Sequence, residues 1–216
     1  MKTKSKALLL TLCAVLLVAA SVLGTMAFLT SKDEVVNTFT VGSVAIKLDE
    51  AKVTTDGKPV EGAARVKANS YKLMPGLTYT KDPMVTVLKG SEDSYIKMTV
   101  TFSKASELDA IFAPTGANLT SIFNGYDSTN WIYKGNTKNA NADTRTYEFW
   151  YNGTVGAPTA DVALDALFDS ITVPGTITNE QLATIEGMTI TVNACAIQAD
   201  GFANAEAAWD AFDAQK

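Results

Sequence analysis

Three aspartates recur at every fourth position and are the first candidates for a metal site. Asp161, Asp165 and Asp169 stand at i, i+4 and i+8, so a helix would align their carboxylates along one edge, where they could bind Ca²⁺. Calcium sites usually draw their oxygen ligands from a folded loop, however, and the same spacing describes the solvated face of a helix. We predict a surface helix that begins near Thr159, with no metal site. Its opposite face would carry Leu164, Leu167, Phe168 and Ile171.

Four neighbouring aromatic residues are the second candidate, as a platform for a glycan. Tyr147, Phe149 and Tyr151 share one face of a predicted strand, and Trp150 lies on the other. Aromatic residues on an alternating strand more commonly pack in the core and against neighbouring strands. We therefore predict a structural role for all four residues.

The chain of 216 residues contains no histidine, and this excludes several kinds of active site. A histidine-ligated zinc, an imidazole general base and a Ser-His-Asp or Cys-His arrangement each need one. Because no imidazole can activate its thiol, we predict that Cys195 is a small strand residue. No Ca²⁺-loop, dinucleotide, P-loop or HExxH motif occurs. Glycoside hydrolysis by two carboxylates that are distant in sequence stays an open possibility. We predict no catalytic activity, no cofactor and no bound metal.

Net charge and hydrophobic content exclude two further classes of protein. The chain has 18 Lys+Arg and 23 Asp+Glu residues, a net charge of -5, and therefore lacks the basic footprint of a nucleic-acid-binding protein. Its hydrophobic content of 47% is too high for a disordered chain and is sufficient for one sizeable core.

The elements that would position these residues are mainly strands. In residues 95–102, Ile96, Met98, Val100 and Phe102 alternate with polar residues, which is typical of an antiparallel sheet with one wet face. Short helices are predicted after Ser103, Thr178 and Asn204, each of which can cap a helix. The predicted strands cover residues 37–48, 71–73, 77–80, 84–88, 119–123, 131–133, 144–151 and 187–198. We predict an all-β, antiparallel two-sheet sandwich with short helical insertions and a C-terminal helix.

The amino terminus has the pattern of a secretory signal peptide. Three lysines precede an uncharged stretch, residues 7–31, and small residues lie just before Phe28. We predict cleavage between Ala27 and Phe28, so that residues 1–27 are removed and residues 28–216 form one domain. Loss of the three lysines leaves 15 basic and 23 acidic residues, a net charge of -8. An uncleaved anchor stays an alternative, because the stretch could span a bilayer of about 30 Å, and it would be the only membrane contact.

Two segments carry a resemblance to a known family. GTMAFLTSKDEVVNTFTVGSVAIKL (residues 24–48) and the run LFDSITVPGTITNEQL…MTITVNACAIQADGFANAEAAWDAF (residues 167–212) resemble the TasA/camelysin family of SipW-dependent exported proteins of Gram-positive bacteria. The AIQADGF run at residues 196–202, together with the aromatic-rich start after the cleavage site, is a fairly specific combination. The match covers both ends of the chain and, more loosely, the strands between them.

The resemblance implies a fold, a route of export and an assembly. It implies a jelly-roll sandwich, cleavage by a SipW-type signal peptidase, and secretion into extracellular biofilm-matrix or cell-surface fibres, with other matrix proteins as further partners. In that family the segment after cleavage acts as a donor strand for the next subunit. Here that segment is residues 28–39, with Phe28, Leu29, Val35, Val36 and Phe39 as its apolar residues.

Two other functions stay open. Camelysin carries a metalloendopeptidase label, but a zinc site without histidine would need several cysteines or an unusual carboxylate set, and the exported chain keeps only Cys195. The third possibility is a monomeric surface-binding module.

Overall fold

The computed structural model describes residue 6 and residues 11–17, 42–112, 122–157 and 159–214. The chain divides into two units, Met1–Val41 and Gly42–Lys216. In the first unit, residues 11–17 are helical and their side chains are exposed. The predicted cleavage site at Ala27 and Phe28 and the predicted donor segment, residues 28–39, lie outside the described residues. Within the ranges given above, no helix combines the length and apolarity needed to cross a bilayer.

The described part of the second unit consists mainly of strands. The strands are β1 (Ile46–Asp49), β2 (Thr78–Thr80), β3 (Met84–Val87), β4 (Ser91–Ser103), β5 (Trp131–Asn139), β6 (Thr144–Tyr151), β7 (Val155–Ala157), β8 (Val162–Ala163), β9 (Ser170–Thr172) and β10 (Ile190–Gln198). The helices are α1 (Ala105–Phe112), α2 (Asn179–Thr184) and α3 (Ala205–Asp213).

The strands form antiparallel sheets, as predicted. The largest sheet has the order β10-β4-β6-β5, and β7 pairs with the first residues of β4. A second sheet has the order β1-β3-β8, and β2 pairs with β9. Both sheets contribute to one hydrophobic core, an arrangement compatible with a two-sheet sandwich.

The centre of that core follows the alternation of β4. Its residues Ile96, Met98, Val100 and Phe102 are at most 3% exposed and lie in one cluster with Val85 and Val87 of β3. Aromatic rings pack in the same cluster: the centroid of Phe123 lies 5.3 Å from that of Tyr147 and 4.6 Å from that of Phe168. The predicted inward face of β4 is therefore confirmed.

The opposite face of β4 is only partly wet, because α3 covers one end of it. Lys97 is buried, and its Nζ lies 4.5 Å from the centroid of Trp209 and 3.4 Å from a carboxylate oxygen of Asp213. The Trp209 ring also packs 6.1 Å from the ring of Trp150 on β6. Alternation in β4 alone could not show this second layer, because the helix that covers Lys97 begins about a hundred residues later.

The helix caps were predicted correctly at two of three positions. Thr178 forms a capping box with Gln181, and the Asn204 side chain accepts from Ala207 N–H. Ser103 does not cap α1, because its hydroxyl oxygen accepts a hydrogen bond from Thr189 N–H instead. The α1 cap is Asp143, whose carboxylate accepts from both the backbone N–H and the hydroxyl of Ser106.

The predicted helix from Thr159 is wrong. Residues 159–171 form β8, an irregular stretch and the start of β9. Their backbone N–H groups find distant partners: Leu164 N–H donates to Val85 O at 2.9 Å and Leu167 N–H donates to Pro83 O at 3.0 Å. The four residues predicted for the apolar face of that helix are nevertheless buried, because the non-helical chain brings each of them into the core: Leu164, Leu167, Phe168 and Ile171.

The strand predictions are mostly confirmed. Strands β3, β4, β6 and β10 lie where they were expected, whereas β5 begins at the predicted Trp131 but continues to Asn139 instead of ending at residue 133. The strand predicted at residues 71–73 is wrong, because this segment is irregular and is held by side chains. The Tyr71 hydroxyl donates to Thr80 O, and the Tyr79 hydroxyl donates to Lys72 O. Most of the strand predicted at residues 119–123 falls outside the described residues.

Candidate functional site

A groove of about 1270 Å³ runs along the start of β10 and is called here the β10 groove. One wall is the irregular segment 67–73, and the other is formed by α2 and residues 185–192. Most of its lining is apolar. The apolar side chains come from several elements: Leu48, Tyr71, Leu73, Phe112, Ile171, Leu182, Met188, Ile190 and Val192. The charged lining residues are Asp49, Glu50, Lys67, Lys72, Lys81 and Glu186.

One edge of β10 meets this groove. Ser103 N–H donates to Thr189 O, and Ala199 N–H donates to Asp93 O, so the ladder bonds to β4 fall at odd-numbered residues. The backbone N–H and C=O groups of Ile190, Val192 and Ala194 therefore point away from β4. Within the described residues no strand pairs with this edge. Because unpaired edge groups are a template for another strand, the edge can accept one.

The chemistry of β10 favours such pairing. Ile190–Gln198 contains neither a charged residue nor a proline, and all nine residues pair with β4 without a register shift. Charges, prolines and bulges are the devices that protect sheet edges from pairing. The β10 edge has none of them.

A buried polar cluster lies in the wall of the groove. Lys81 Nζ donates to Glu50 Oε2 at 2.6 Å, and Asn69 Nδ2 donates to Glu50 Oε1 at 2.9 Å. The side chains of Lys81 and Glu50 are each only 8% exposed. Burial, followed by the negative charge of Glu50, raises the pKa of the nearby Tyr71 hydroxyl.

Beside this cluster, Arg65, two residues before segment 67–73, binds β1 and the connection between β2 and β3. Its guanidinium donates to Asp49 Oδ1 at 2.6 Å and to Asp82 Oδ2 at 2.7 Å. Burial works to raise the pKa of Asp49, but hydrogen bonds from Lys47 and Arg65 outweigh it and hold that pKa below its usual 3.8. The wall is therefore held by ion pairs and side-chain hydrogen bonds instead of a strand ladder.

The three aspartates considered from the sequence do not form a site. Asp161 Oδ1 accepts from Lys89 N–H, Asp165 Oδ2 accepts from the Asn130 amide, and Asp169 lies against Gly125. Without the predicted helix they point to different partners. Among the described residues no group of three or more Asp, Glu, Cys or His side chains could hold a metal ion.

The aromatic residues of β6 have the predicted structural role. Tyr147 and Phe149 are buried, Tyr151 packs 5.1 Å from the Trp131 ring, and Trp150 faces α3. Cys195 is a half-buried residue of β10 with a free thiol, as predicted.

Sequence reasoning missed the β10 groove and its polar cluster. Glu50, Asn69 and Lys81 belong to irregular segments, so no periodicity connects them. The signal that could have pointed to the groove is the uncharged run of β10. By itself the run predicts a strand, but not which of its edges is free.

Comparison with known proteins identifies no relative. No family model, no curated protein and no solved structure matches the chain.

Proposed function

We propose that the chain is a secreted structural protein, a subunit of extracellular biofilm-matrix or cell-surface fibres. The observation that carries the proposal is the uncharged, unprotected edge of β10 beside a long apolar groove. A strand added to this edge would satisfy the outward N–H and C=O groups of β10 and would cover the apolar lining of the groove.

The proposed occupant is the segment of residues 28–39 from a second copy. In an extended strand Leu29, Val35 and Phe39 share one face, whereas Phe28 and Val36 lie on the other. One face of the segment therefore carries three large apolar side chains toward the groove. Because each copy would give a strand to one neighbour and accept a strand from another, the contact is head to tail and produces an open filament.

The resemblance to the TasA/camelysin family supports the same proposal. It supplies the jelly-roll connectivity, the SipW-type peptidase that would expose Phe28, and the possibility of other matrix proteins as partners. The antiparallel sheets with their shared core are compatible with that fold. We place the protein in the extracellular matrix or at the cell surface.

The first experiment compares two purified chains by negative-stain electron microscopy and sedimentation. A chain that begins at Phe28 is expected to form filaments, and a chain that begins at residue 40 is expected to stay monomeric. A synthetic peptide of residues 28–39, added to the shorter chain, should raise its melting temperature because it binds only the folded state. Filaments formed equally by both chains would contradict the proposal.

A matched pair of substitutions tests the orientation of the donor strand. Val35→Lys places a charge on the face that carries Leu29 and Phe39, whereas Val36→Lys places the same charge on the other face. We expect Val35→Lys to prevent filaments and Val36→Lys to permit them. Equal effects would show that residues 28–39 do not enter the groove as a strand.

Casein cleavage that a chelator abolishes would instead favour the peptidase function.

A further inference from the structure

Lys81, Glu50 and Asn69 form an arrangement that the fibre proposal does not use. The two oxygens of the Glu50 carboxylate accept from different groups. Oε2 lies 2.6 Å from the Lys81 amine nitrogen, Nζ, and Oε1 lies 2.9 Å from the Asn69 amide nitrogen, Nδ2. Glu50 therefore brings a nucleophile and a carboxamide together at a single acid–base group.

The amide of Asn69 is held in one orientation. Its Nδ2 donates to Glu50 Oε1 and, at 2.8 Å, to Ala51 O, while its Oδ1 accepts from Val53 N–H at 3.0 Å. Two acceptors on one side and a donor on the other fix which atom is oxygen and which is nitrogen. The carbonyl oxygen thus faces a hydrogen-bond donor, as required where negative charge develops during attack on a carbonyl.

Backbone hydrogen bonds hold Glu50 and Lys81 in place. Glu50 and Val66 exchange two backbone hydrogen bonds of 2.9 and 2.8 Å, and Lys81 N–H donates to Asp169 O at 3.0 Å. The buried side chains of Lys81 and Glu50 adjoin the rings of Tyr71 and Tyr79 in the groove wall. Exclusion of water strengthens the electrostatic interactions within such a cluster and disfavours its separated charges.

We propose that Lys81 and Asn69 join in an intramolecular amide bond, with Glu50 as the acid–base group. Glu50 Oε2 accepts one proton from the ammonium of Lys81, and the free amine attacks Asn69 Cγ. The negative charge of the tetrahedral intermediate lies on Oδ1, which faces Val53 N–H. Glu50 then transfers a proton to Nδ2, and the Cγ–Nδ2 bond breaks.

The reaction balances without an oxidant or a co-reactant. One Cγ–N bond forms and one breaks, and no atom changes its oxidation state. The ammonium of Lys81 gives up two protons, and both leave on the departing nitrogen as ammonium. Glu50 returns to its starting state beside the new amide.

Among the described residues, this wall of the groove has no strand ladder to support it, and the amide bond would support it covalently. Segment 67–73 is irregular, and the bond would attach its residue 69 to Lys81, which connects β2 with β3. One wall of the β10 groove would then be fixed whether or not a strand occupies it. The inference is therefore independent of fibre assembly.

Mass spectrometry of the purified full chain tests the proposal. The intact mass is expected to be lower than the sequence mass by one ammonia. Trypsin should then release a branched peptide in which residues 68–72 are joined to residues 73–89, because the modified Lys81 is no longer cleaved. An intact mass equal to the sequence mass overturns the proposal. So does loss of ammonia without the branched peptide, which cyclisation of another asparagine would produce.

Three variants assign the roles. Lys81→Arg removes the nucleophile and Glu50→Gln removes the acid–base group, so both are expected to have the unmodified mass. Lys47→Arg changes an exposed lysine that pairs with neighbouring Asp49 and should retain the branched peptide. Circular dichroism spectra check that each variant is folded. A branched peptide in folded Glu50→Gln would overturn the role of Glu50.

Discussion

The two edges of the largest sheet, β10 and β5, are built in opposite ways. β10 has no charge, no proline and an unbroken register with β4. β5 has two lysines, Lys134 and Lys138, and its register shifts between Tyr133 and Gly135. Lys134 Nζ lies 4.1 Å from the centroid of the Trp150 ring, and Lys138 pairs with Asp109 on α1.

The difference shows that edge protection can be applied to one side of a sheet alone. A register shift and two lysines make β5 a poor template for another strand. The outward backbone groups of β10, by contrast, pair with no strand in the described part of the chain and lie beside an apolar groove. A protein that must only stay soluble would protect both edges. Protection of one edge is what a head-to-tail filament requires, because growth then has one acceptor per subunit.

The largest expected effect is the loss of filaments when the β10 edge is blocked. Ala194→Pro removes an outward N–H group that β4 does not use, so the chain should fold but fail to accept a strand. Ala194→Ser keeps the N–H group and serves as the control. Electron microscopy should show filaments for the serine variant alone. Filaments of the proline variant would mean that the acceptor lies elsewhere.

The next largest effect is the loss of free energy of unfolding when a side chain near either edge is truncated. Phe149 is fully buried and its ring centroid lies 5.4 to 5.8 Å from those of Tyr126, Tyr133 and Phe123, so Phe149→Ala should lower the free energy of unfolding by about 4 kcal/mol. Val192 is only partly buried in the groove, and Val192→Ala should cost about 1 kcal/mol in the monomer. Urea unfolding measures both values. Similar losses would show that the groove side is packed as tightly as the other.

Low pH should lower the stability of the fold on the β5 side of the largest sheet, because Asp109 becomes protonated. Burial acts to raise the pKa of Asp109, but hydrogen bonds from Arg145 and Lys138 outweigh it and hold that pKa below its usual 3.8. A carboxylate with a lowered pKa stabilises the fold above its unfolded-state pKa, and that stability is lost as the pH falls through the folded-state value. At pH 7, Asp109→Asn should cost about 1 kcal/mol.

The same variant provides the pH test. Urea midpoints of wild-type protein and Asp109→Asn are expected to converge as the pH is lowered from about 5 to about 2, because protonated Asp109 resembles asparagine in its charge. A constant difference over this range would show that the ion pair does not contribute.

The smallest effect on stability is expected from the lysines of β5. In the Ala194→Pro background, Lys134→Thr with Lys138→Thr should change the free energy of unfolding by less than about 1 kcal/mol, yet should promote association through the newly neutral edge. Sedimentation velocity measures the association, and Lys52→Thr, at an exposed lysine outside the strands, is the control. If the double variant stays monomeric, the register shift alone protects β5.

Sequence alone predicted the elements whose pattern is local and strong. The alternation of Ile96, Met98, Val100 and Phe102 identified β4 and its buried face, and Thr178 and Asn204 identified two helix starts. The same kind of pattern failed at residues 159–171. There the helical spacing of the apolar residues is real, but Val85 O and Pro83 O capture the backbone N–H groups that a helix would have used.

The groove and its polar cluster could not be predicted, for a related reason. Glu50 and Lys81 are 31 residues apart and meet only because β1 and β3 pair and the connecting chain folds back. Neither residue lies on a periodic segment. A local pattern contains no information about contacts that the topology of the sheets creates.

The cap of α1 has a consequence for the order of folding. Asp143, which accepts from Ser106, lies in the connection between β5 and β6, 37 residues further along the chain. An eight-residue helix is too short to persist alone in water, so α1 must wait for that hairpin. The hairpin should therefore reach its native form early and act as the template on which α1 forms. Hydrogen exchange during refolding should then protect the amides of β6 before those of α1.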